Sequence, residues 1–423
     1  MKVTFSKKEL LSALVPAAGI SQVKNTYLSC DGLLFECPPD KRFGDYDTDS
    51  PSLCRISAFD FEKGLRTTIR CTIHEPGMFL LNTQSVLQII RALPEGEISI
   101  EIDRNGAAVI SGGKVNFRMS AGPGENFPTM PMFIGTDTCK IPQSALRRVL
   151  SETVFAIAQN DLQRTGFTGG LFRIRDGELT VTGCDNHRLA LSRCSVSGMS
   201  GSNVEACFIL PGKFLGELLR LLGESEDEVI MITGRKHVFF KIPNLWFFTR
   251  ILDTDYPEYE KMLPAFYRTE AVVSRAELLD AAERASIVAE AKLGGIGGAY
   301  VKLEFAENEL IISSVASGGA VDETLSPVTS GAELAIGFEC RNLLETLRAC
   351  PVSSERLRLR LNTSLLGMLI EPDGGSSFLN TCPDPSIYGE NIPRSMKSSV
   401  LMPEETADFL YFVLPTRMNV SVK

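Results

Sequence analysis

Short runs of alternating apolar and polar residues give way, at three places along the chain, to stretches with apolar residues at helical spacing. Val3-Thr4-Phe5-Ser6 runs into Leu10-Leu11, Cys139-Lys140-Ile141-Pro142 into Leu146, and Val272-Val273-Ser274 into Leu278-Leu279. Alternation predicts a half-buried strand; apolar residues three or four apart predict an amphipathic helix. Ser6 and Ser274 suit a helix N-cap, and Pro142 suits a first helical turn. The offsets are 136 residues from Phe5 to Ile141 and 132 from Ile141 to Val273.

A second marker recurs at nearly the same period. Leu81–Arg91, Leu210–Arg220 and Phe338–Arg348 each read as a strand end followed by a helix. Each leads to a hairpin-like pair: Glu97–Asp103 with Ala107–Ser111, Glu228–Thr233 with His237–Ile242, and Arg356–Leu361 with Leu365–Glu371. These offsets are 129 and 128 residues. A helix followed by a hairpin is common, so one copy means little. Two markers at near-constant offsets point to three copies of a whole domain, because the period is too long for a solenoid unit. Each copy would pack two helices on antiparallel sheet, an α+β arrangement. The boundaries fall at 1–136, 137–266 and 267–423.

Hydrophobic residues make up 44% of the 423 positions and charged residues 22%, an ordinary globular balance. The longest apolar runs fall short of the roughly 20 residues that span a bilayer. Met1–Ala18 has the outline of a signal peptide, but Glu9 and Pro16 interrupt it and its pattern recurs downstream. It reads as mature structure of a cytoplasmic protein. The eleven cysteines are odd in number and none are spaced CxxC, which favours reduced thiols over a disulfide framework or zinc ribbon. No metal or cofactor is expected. Nor is catalysis: Asp185, His187 and Ser192 come without a GxSxG elbow, His74-Glu75 lacks the second His of a zincin, and Gly294–Gly298 lacks GxGxxG spacing.

The net charge of −9 argues, as a sum, against nonspecific nucleic-acid binding. What DNA meets, however, is the charge of the facing surface. The two helix sets carry Lys7, Lys8, Arg91, Arg147, Arg148, Lys213, Arg220, Arg275, Arg284, Arg341 and Arg348 among a smaller number of acids. Any single one reads as part of a solvated helix face. Arg91, Arg220 and Arg348, though, occupy the same position in all three copies, which favours one shared positive surface. If the repeats close around an axis, that surface is an inner wall facing phosphates, with the acidic excess outside.

Several short motifs then carry a resemblance: Met1-Lys2-Val3-Thr4-Phe5, His74-Glu75-Pro76-Gly77, Leu93-Pro94-Glu95-Gly96, Phe127-Pro128, Gly183–Ala190, Tyr256-Pro257-Glu258-Tyr259 and Val413–Met418. In their order and spacing the chain resembles the bacterial sliding clamp, the beta subunit of DNA polymerase III. The resemblance implies a head-to-tail homodimer, a six-domain ring around duplex DNA. It implies a non-catalytic processivity factor that tethers the replicative polymerase, the clamp loader and repair proteins through short linear peptides. By position it places Lys24 and Arg91 on the DNA-facing side, to which the repeated helix cations add Arg147, Arg148, Arg220 and Arg348. It places Phe117 and Met119, on an edge strand, at the dimer interface against Ile287 and Val288. The partner-peptide pocket maps to Phe167, His187, Arg188, Leu189, Pro257, Lys261, Met262, Leu365, Gly367, Val413, Leu414, Pro415 and Met418. Departures from the family are an insertion at about 38–53, another at about 373–403, a tail at 419–423, and Lys261 and Thr416 in place of more usual residues. These departures motivate one alternative, a clamp-like paralogue that keeps the peptide pocket as an interaction hub without loading as a replication ring.

Overall fold

The structure is a computed structural model. It describes residues 1–20, 32–38, 52–131, 137–161, 163–198, 205–264, 266–290, 300–316, 319–374 and 408–417. Most of the two insertions, the tail, Lys24 and Met418 lie outside the described residues.

Both sets of markers become the expected elements. Strand Lys2–Ser6 enters α1 (Lys7–Ile20) and strand Gly77–Asn82 enters α2 (Thr83–Ala92). Asp137–Pro142 enters α3 (Gln143–Ser151) and Ala206–Pro211 enters α4 (Gly212–Leu221). Thr269–Ser274 enters α5 (Arg275–Glu290) and Leu334–Glu339 enters α6 (Cys340–Ala349). In each copy the first strand pairs antiparallel with the first strand of the hairpin: Val3↔Ile100, Ile141↔Val229, Val273↔Leu357. Alternation then buries one face, as at Val3, Phe5, Ile98 and Ile100.

The helix starts are stopped by backbone rather than by a common cap residue. Lys7, Gln143 and Arg275, each the first residue of its helix, donate their N–H to Gly96 O, Asp227 O and Glu355 O, at 2.9 Å in every case. Each acceptor immediately precedes the first hairpin strand. This explains why the preceding residue is free to vary. Ser274 Oγ does accept from Glu277 N (3.4 Å), whereas Pro142 ends its strand and so precedes the helix rather than lying in its first turn.

The same first residues also bind the end of the second helix. Lys7 Nζ donates to Leu93 O, the C-cap of α2, at 2.6 Å. Arg275 Nε donates to Cys350 O, the C-cap of α6, at 2.8 Å. In the middle copy Gln143 Oε1 accepts from Gly223 N (3.0 Å), just beyond α4. A cation at a helix C-terminus also meets the negative end of the helix dipole.

By compactness the chain divides into two units. The first comprises Met1–Ser144, Val196–Val204 and Glu217–Ile251; the second Ala145–Ser195, Glu205–Gly216 and Leu252–Lys423. The division cuts through the middle repeat. In the first unit, strand Leu245–Arg250 pairs with Lys63–Arg70 (Phe247↔Leu65), so that strands of the first and middle repeats share one 13-stranded sheet. In the second, Arg188–Ser195 pairs with Phe409–Val413 (Ala190↔Tyr411), giving a 9-stranded sheet built from the middle and third repeats. A separate 4-stranded sheet in the second unit has Gly319–Leu325 at its edge. There α5 contributes small buried residues, Ala281, Ala282, Ala285 and Ala289, to a core shared with Leu343 and Leu347 of α6.

One hairpin differs from expectation. Its second strand is Met368–Pro372 and not Leu365–Glu371, because Thr363 organises a turn: its carbonyl accepts from Leu366 N and its Oγ1 from Leu365 N. Pro16, expected to interrupt a pattern, lies inside α1.

Lys7 is buried and its ammonium also pairs with Glu95 at 3.0 Å. Lys7→Met therefore leaves the α2 terminus without its charged donor, and is expected to destabilise by about 1–3 kcal/mol. Denaturant unfolding of the first repeat, followed by hydrogen exchange, checks this; an unchanged profile would contradict the role given to the contact.

Candidate partner-binding surface and interfaces

The predicted peptide-site residues that the structure describes all lie in the second unit. Phe167, Leu189, Met262 and Leu414 meet in a single apolar cluster, with Leu171, Cys184, Leu191, Ile209, Tyr259, Leu369, Leu410 and Phe412 beneath or beside them. Phe167 and Leu189 are buried and form the floor, whereas Met262 and Leu414 are half-buried. Phe167 is held in a short 3-10 turn, Thr165–Thr168, under the Arg164 guanidinium (4.9 Å from the ring centre). Gly166 beside it is sterically required, since a Cβ there would lie 2.4 Å from Asp255 O.

Met262 is placed by a second 3-10 turn, Tyr259–Lys261, whose first residue donates its N–H to Pro257 O (2.7 Å). The turn is anchored from below by Tyr256, whose hydroxyl donates to Thr182 O at 2.9 Å. Burial pushes the phenols of Tyr256 and Tyr259 above their ordinary range, so both stay neutral. Lys261 points outward and pairs with Glu258. Leu365 is 82% exposed at the tip of the Thr363 turn. Gly367 gives room to the Phe412 ring, which a Cβ would approach to 2.5 Å.

Two predicted residues play other parts than direct contact. Val413 alternates away from Leu414 along its strand and is buried in the core of the third repeat. Arg188 is also buried. Its Nε donates to Asp185 Oδ2 (3.2 Å), its Nη1 pairs with Glu345 Oε2 (2.6 Å), and its guanidinium lies 5.3 Å from the Phe155 ring centre. Burial opposes ionisation of Glu345, but hydrogen bonds from Arg341 and Arg188 outweigh it and hold that carboxyl below the usual range. Asp185 Oδ1 accepts the backbone N–H of both His187 and Arg188, at 2.7 and 2.8 Å. Arg188 thus fixes the turn that presents exposed His187. Leu414 N in turn donates to His187 O (2.8 Å), bringing Leu414 and Pro415 alongside. Asp185, Glu345, Phe155 and Tyr256 were not among the predicted site residues. The Asx turn in Asp185-Asn186-His187-Arg188 was readable from spacing; the distant partners were not.

The hydrolase geometry is absent from this cluster. Ser192 is fully buried and donates its hydroxyl to Glu152, while Asp185 serves backbone donors.

The predicted cationic residues divide in two. Arg91, Arg220 and Arg348 are exposed and each is basic residue of the last turn of its helix, α2, α4 or α6. Arg348 is bound through Nε and Nη2 to Glu283 (3.0 and 2.9 Å). Arg147 and Arg148 are half-buried. Arg148 is committed inward, to Glu152 (3.2 Å) and Arg193 O (2.9 Å).

Of the predicted interface residues, Phe117 and Met119 lie on strand Val115–Pro123. Residues 115–120 pair with Ala107–Gly112, and only Ala121–Pro123 pair on the other side, with Gly77–Asn82. Among the described residues, one edge of 115–120 is therefore open. Ile287 is 71% exposed on α5 and Val288 half-buried. Arg284 on the same helix is bidentate to Glu323 (2.7 and 2.7 Å) on the edge strand Gly319–Leu325.

Family models for the DNA polymerase III beta subunit match in order: the N-terminal domain over residues 1–131, the central domain over 140–258 and the C-terminal domain over 260–382. A beta sliding clamp of Pseudomonas putida is 30% identical over 302 residues, 71% of this chain and 79% of its own length. The chain belongs to the bacterial beta sliding clamp family. The beta sliding clamp of Bacillus subtilis is 28% identical over 352 residues, covering 82% of this chain and 90% of that one. The solved sliding clamp of Bacillus subtilis superposes with a TM-score of 0.83 at 23% identity, over 99% of each chain. A DNA polymerase III beta subunit structure from Eubacterium rectale gives 0.81 at 22%, over 99% of this chain and all of that one. The clamp fold, three domains of mostly antiparallel sheet with a few helices, is thus the one described above. Sliding clamps are non-catalytic processivity factors of DNA replication, which agrees with the committed state of Ser192 and Asp185. Among the described residues no helix is long and apolar enough to cross a membrane.

Glu152 offers a test of the packing beneath this surface. Burial raises its pKa, against the opposing hydrogen bond from Ser192 and the charge of Arg148. A carboxyl with a raised folded-state pKa favours folding most when protonated. Stability from this group is full below the unfolded value of about 4.3 and is lost as pH rises through the folded value. Glu152→Gln should therefore gain on the wild type as pH rises through that window, in parallel thermal melts. A constant difference across pH would contradict burial as the dominant cause.

Proposed function

We propose that two copies of this chain join head to tail into a ring around duplex DNA, and that the Phe167–Leu189–Met262–Leu414 cluster holds short linear peptides of a replicative polymerase, a clamp loader and repair proteins in the cytoplasm. The observation that carries the reading is the recurrence of one exposed arginine, Arg91, Arg220 and Arg348, at the same place in the second helix of every repeat. A threefold-repeated cation supports a bore that meets phosphates without reading bases. The cost of a net charge of −9 is then borne by surfaces that do not face DNA.

The head-to-tail joint is supported by two open edges of opposite character. Strand Val115–Pro123 carries Arg118 with Phe117 and Met119; strand Gly319–Leu325 carries Asp322 and Glu323 beside exposed Ile287. Edge pairing satisfies free backbone groups, and unlike edges on one chain generate closed rings when the rotation suits. The domain divisions at 1–136, 137–266 and 267–423 belong to the same reading.

The peptide site combines a rigid aromatic floor with an adaptable methionine. Such a surface suits several partners of modest affinity. Truncating Met262 to Ala is expected to weaken a fluorescent clamp-binding peptide by roughly tenfold, about 1–2 kcal/mol. Unaltered anisotropy titrations would remove Met262 from the site.

The triple variant Arg91→Ala, Arg220→Ala, Arg348→Ala tests the bore. It should lower the slope of log affinity against log salt by up to about 3 for short duplexes, roughly 0.9 per lost phosphate contact. An unchanged slope would sink the shared cationic wall, and with it the main support for enclosure.

A further inference from the structure

The scaffold that presents His187 and Leu414 occurs a second time, within the first unit, where strands of the first and middle repeats merge. Asp60 Oδ1 accepts the backbone N–H of Glu62 and Lys63 (3.0 and 2.7 Å), as Asp185 Oδ1 does for His187 and Arg188 (2.7 and 2.8 Å). Lys63 opens its strand and pairs with Glu217 of α4; Arg188 opens its strand and pairs with Glu345 of α6. Arg250 N donates to Glu62 O at 2.8 Å, as Leu414 N does to His187 O. The merging strands share one register, Thr249↔Lys63 in the first unit and Val413↔Arg188 in the second. Glu62 is thus the counterpart of His187, and Arg250 that of Leu414.

An apolar cluster lies at this turn as well. Phe59, Met130, Phe239 and Phe248 are buried and form its floor, with Phe127 and Ile232 half-buried against them. The His237 ring centre is 6.1 Å from those of Phe239 and Phe248. Phe61, beside Phe59 at 5.4 Å between ring centres, is 46% exposed. Its φ is +72°, in the left-handed region that suits Gly or Asn and strains a bulky side chain. The turn alone would be better served by either of those residues, and burial of so exposed a ring offsets little of the strain.

The rim differs from that of the second unit in charge. The hairpin tip that carries Leu365 there carries exposed Arg235 and Lys236 here, and Arg250 replaces Leu414. Glu62 lies 3.9 Å from Arg250 and offsets that one cation. Among the described residues neither Arg235 nor Lys236 has an ion-pair partner, on a chain whose net charge is −9.

We propose that the face formed by Phe61, Met130 and His237 is a second docking surface, which takes an extended acidic peptide with apolar anchors between its Asp or Glu residues. The proposal rests on the peptide reading of the Phe167–Leu189–Met262–Leu414 cluster for the use of the scaffold, and on the rim for its selectivity. The apolar anchors meet the aromatic floor and the adaptable Met130. The carboxylates meet Arg235 and Lys236, the guanidinium being able to bind one bidentately. Asp60 and Glu62 flank Phe61 and repel a continuous phosphate backbone, which favours a peptide over a nucleic-acid strand. The two surfaces of one chain would then accept partners of different charge.

The test mixes the native full chain with a pool of short benzophenone-bearing peptides, Leu or Phe alternating with Asp or Glu, irradiates, and maps adducts by peptide mass spectrometry. A second pool carries Lys in place of the acids. The acidic pool should label the segments bearing Phe61 and Met130, and the basic pool should label them roughly tenfold less, a preference that shrinks at raised salt. The double variant Arg235→Glu, Lys236→Glu should remove the preference. Phe61→Gly relieves the backbone strain, so it should melt no lower than the wild type and yet lose labelling at Met130 roughly tenfold. Met262→Ala acts on the second-unit cluster alone and should leave adducts at Met130 unchanged, so failure of that site's reading is seen separately. Equal labelling by both pools, labelling confined to the Met262 segment, or none at all would overturn the proposal. Displacement of the acidic pool by oligothymidylate, or adducts at Met130 lost on self-association of the chain, would do so too.

Discussion

Each repeat depends on one joint, where the first residue of its first helix is tied to the rest of the module. The N–H of Lys7, Gln143 or Arg275 is taken by the carbonyl just before the hairpin strand. The side chain of the same residue then reaches the end of the second helix. A helix start leaves orphan N–H groups and a helix end leaves orphan carbonyls. Lys7 and Arg275 answer part of both, and in all three repeats the residue sets the two helices against the same strand. Lys7 and Arg275 add charge at a helix C-terminus, where the dipole favours it. In the middle copy the direction is reversed: the neutral Gln143 amide oxygen accepts from Gly223 N.

From that joint follow the positions of the exposed groups. With the helix pair fixed, the last turn of α2, α4 and α6 presents Arg91, Arg220 and Arg348 outward. The apolar faces go to the sheet, and the sheets of neighbouring repeats merge through Phe247↔Leu65 in one unit and Ala190↔Tyr411 in the other. The second of these mergers builds the surface proposed to hold peptides. It sets the His187 turn beside Leu414 and lets Leu410, Phe412 and Leu414 line one side while Phe409, Tyr411 and Val413 line the other. The surface is therefore a by-product of strand alternation at the merger, shaped further by two 3-10 turns.

The elements were legible because their signals are local. Glu228–Thr233 and His237–Ile242 alternate cleanly, and their bounds in the fold are those read from sequence. The hairpin at Leu365 was misread because a hydroxyl cap at Thr363 outweighs apolar content. The site was legible only in outline. Phe167, Leu189, Met262 and Leu414 do meet, but nothing local says that Arg188 is consumed by Glu345, some 157 positions away. Nor does composition reveal that Arg148 turns inward to Glu152 while Arg91 and Arg220 stay exposed. Such partnerships are tertiary, and residue type fixes only what a side chain is able to bind.

Enclosure is the claim on which the functional account rests, and topology separates it from ordinary affinity. The most direct measurement loads the protein with a bacterial clamp loader onto nicked circular DNA, linearises half of the sample, and follows retention by gel filtration at raised salt. The account predicts that protein stays on the circles and is lost from the linear molecules through their ends. Equal loss from both would contradict it.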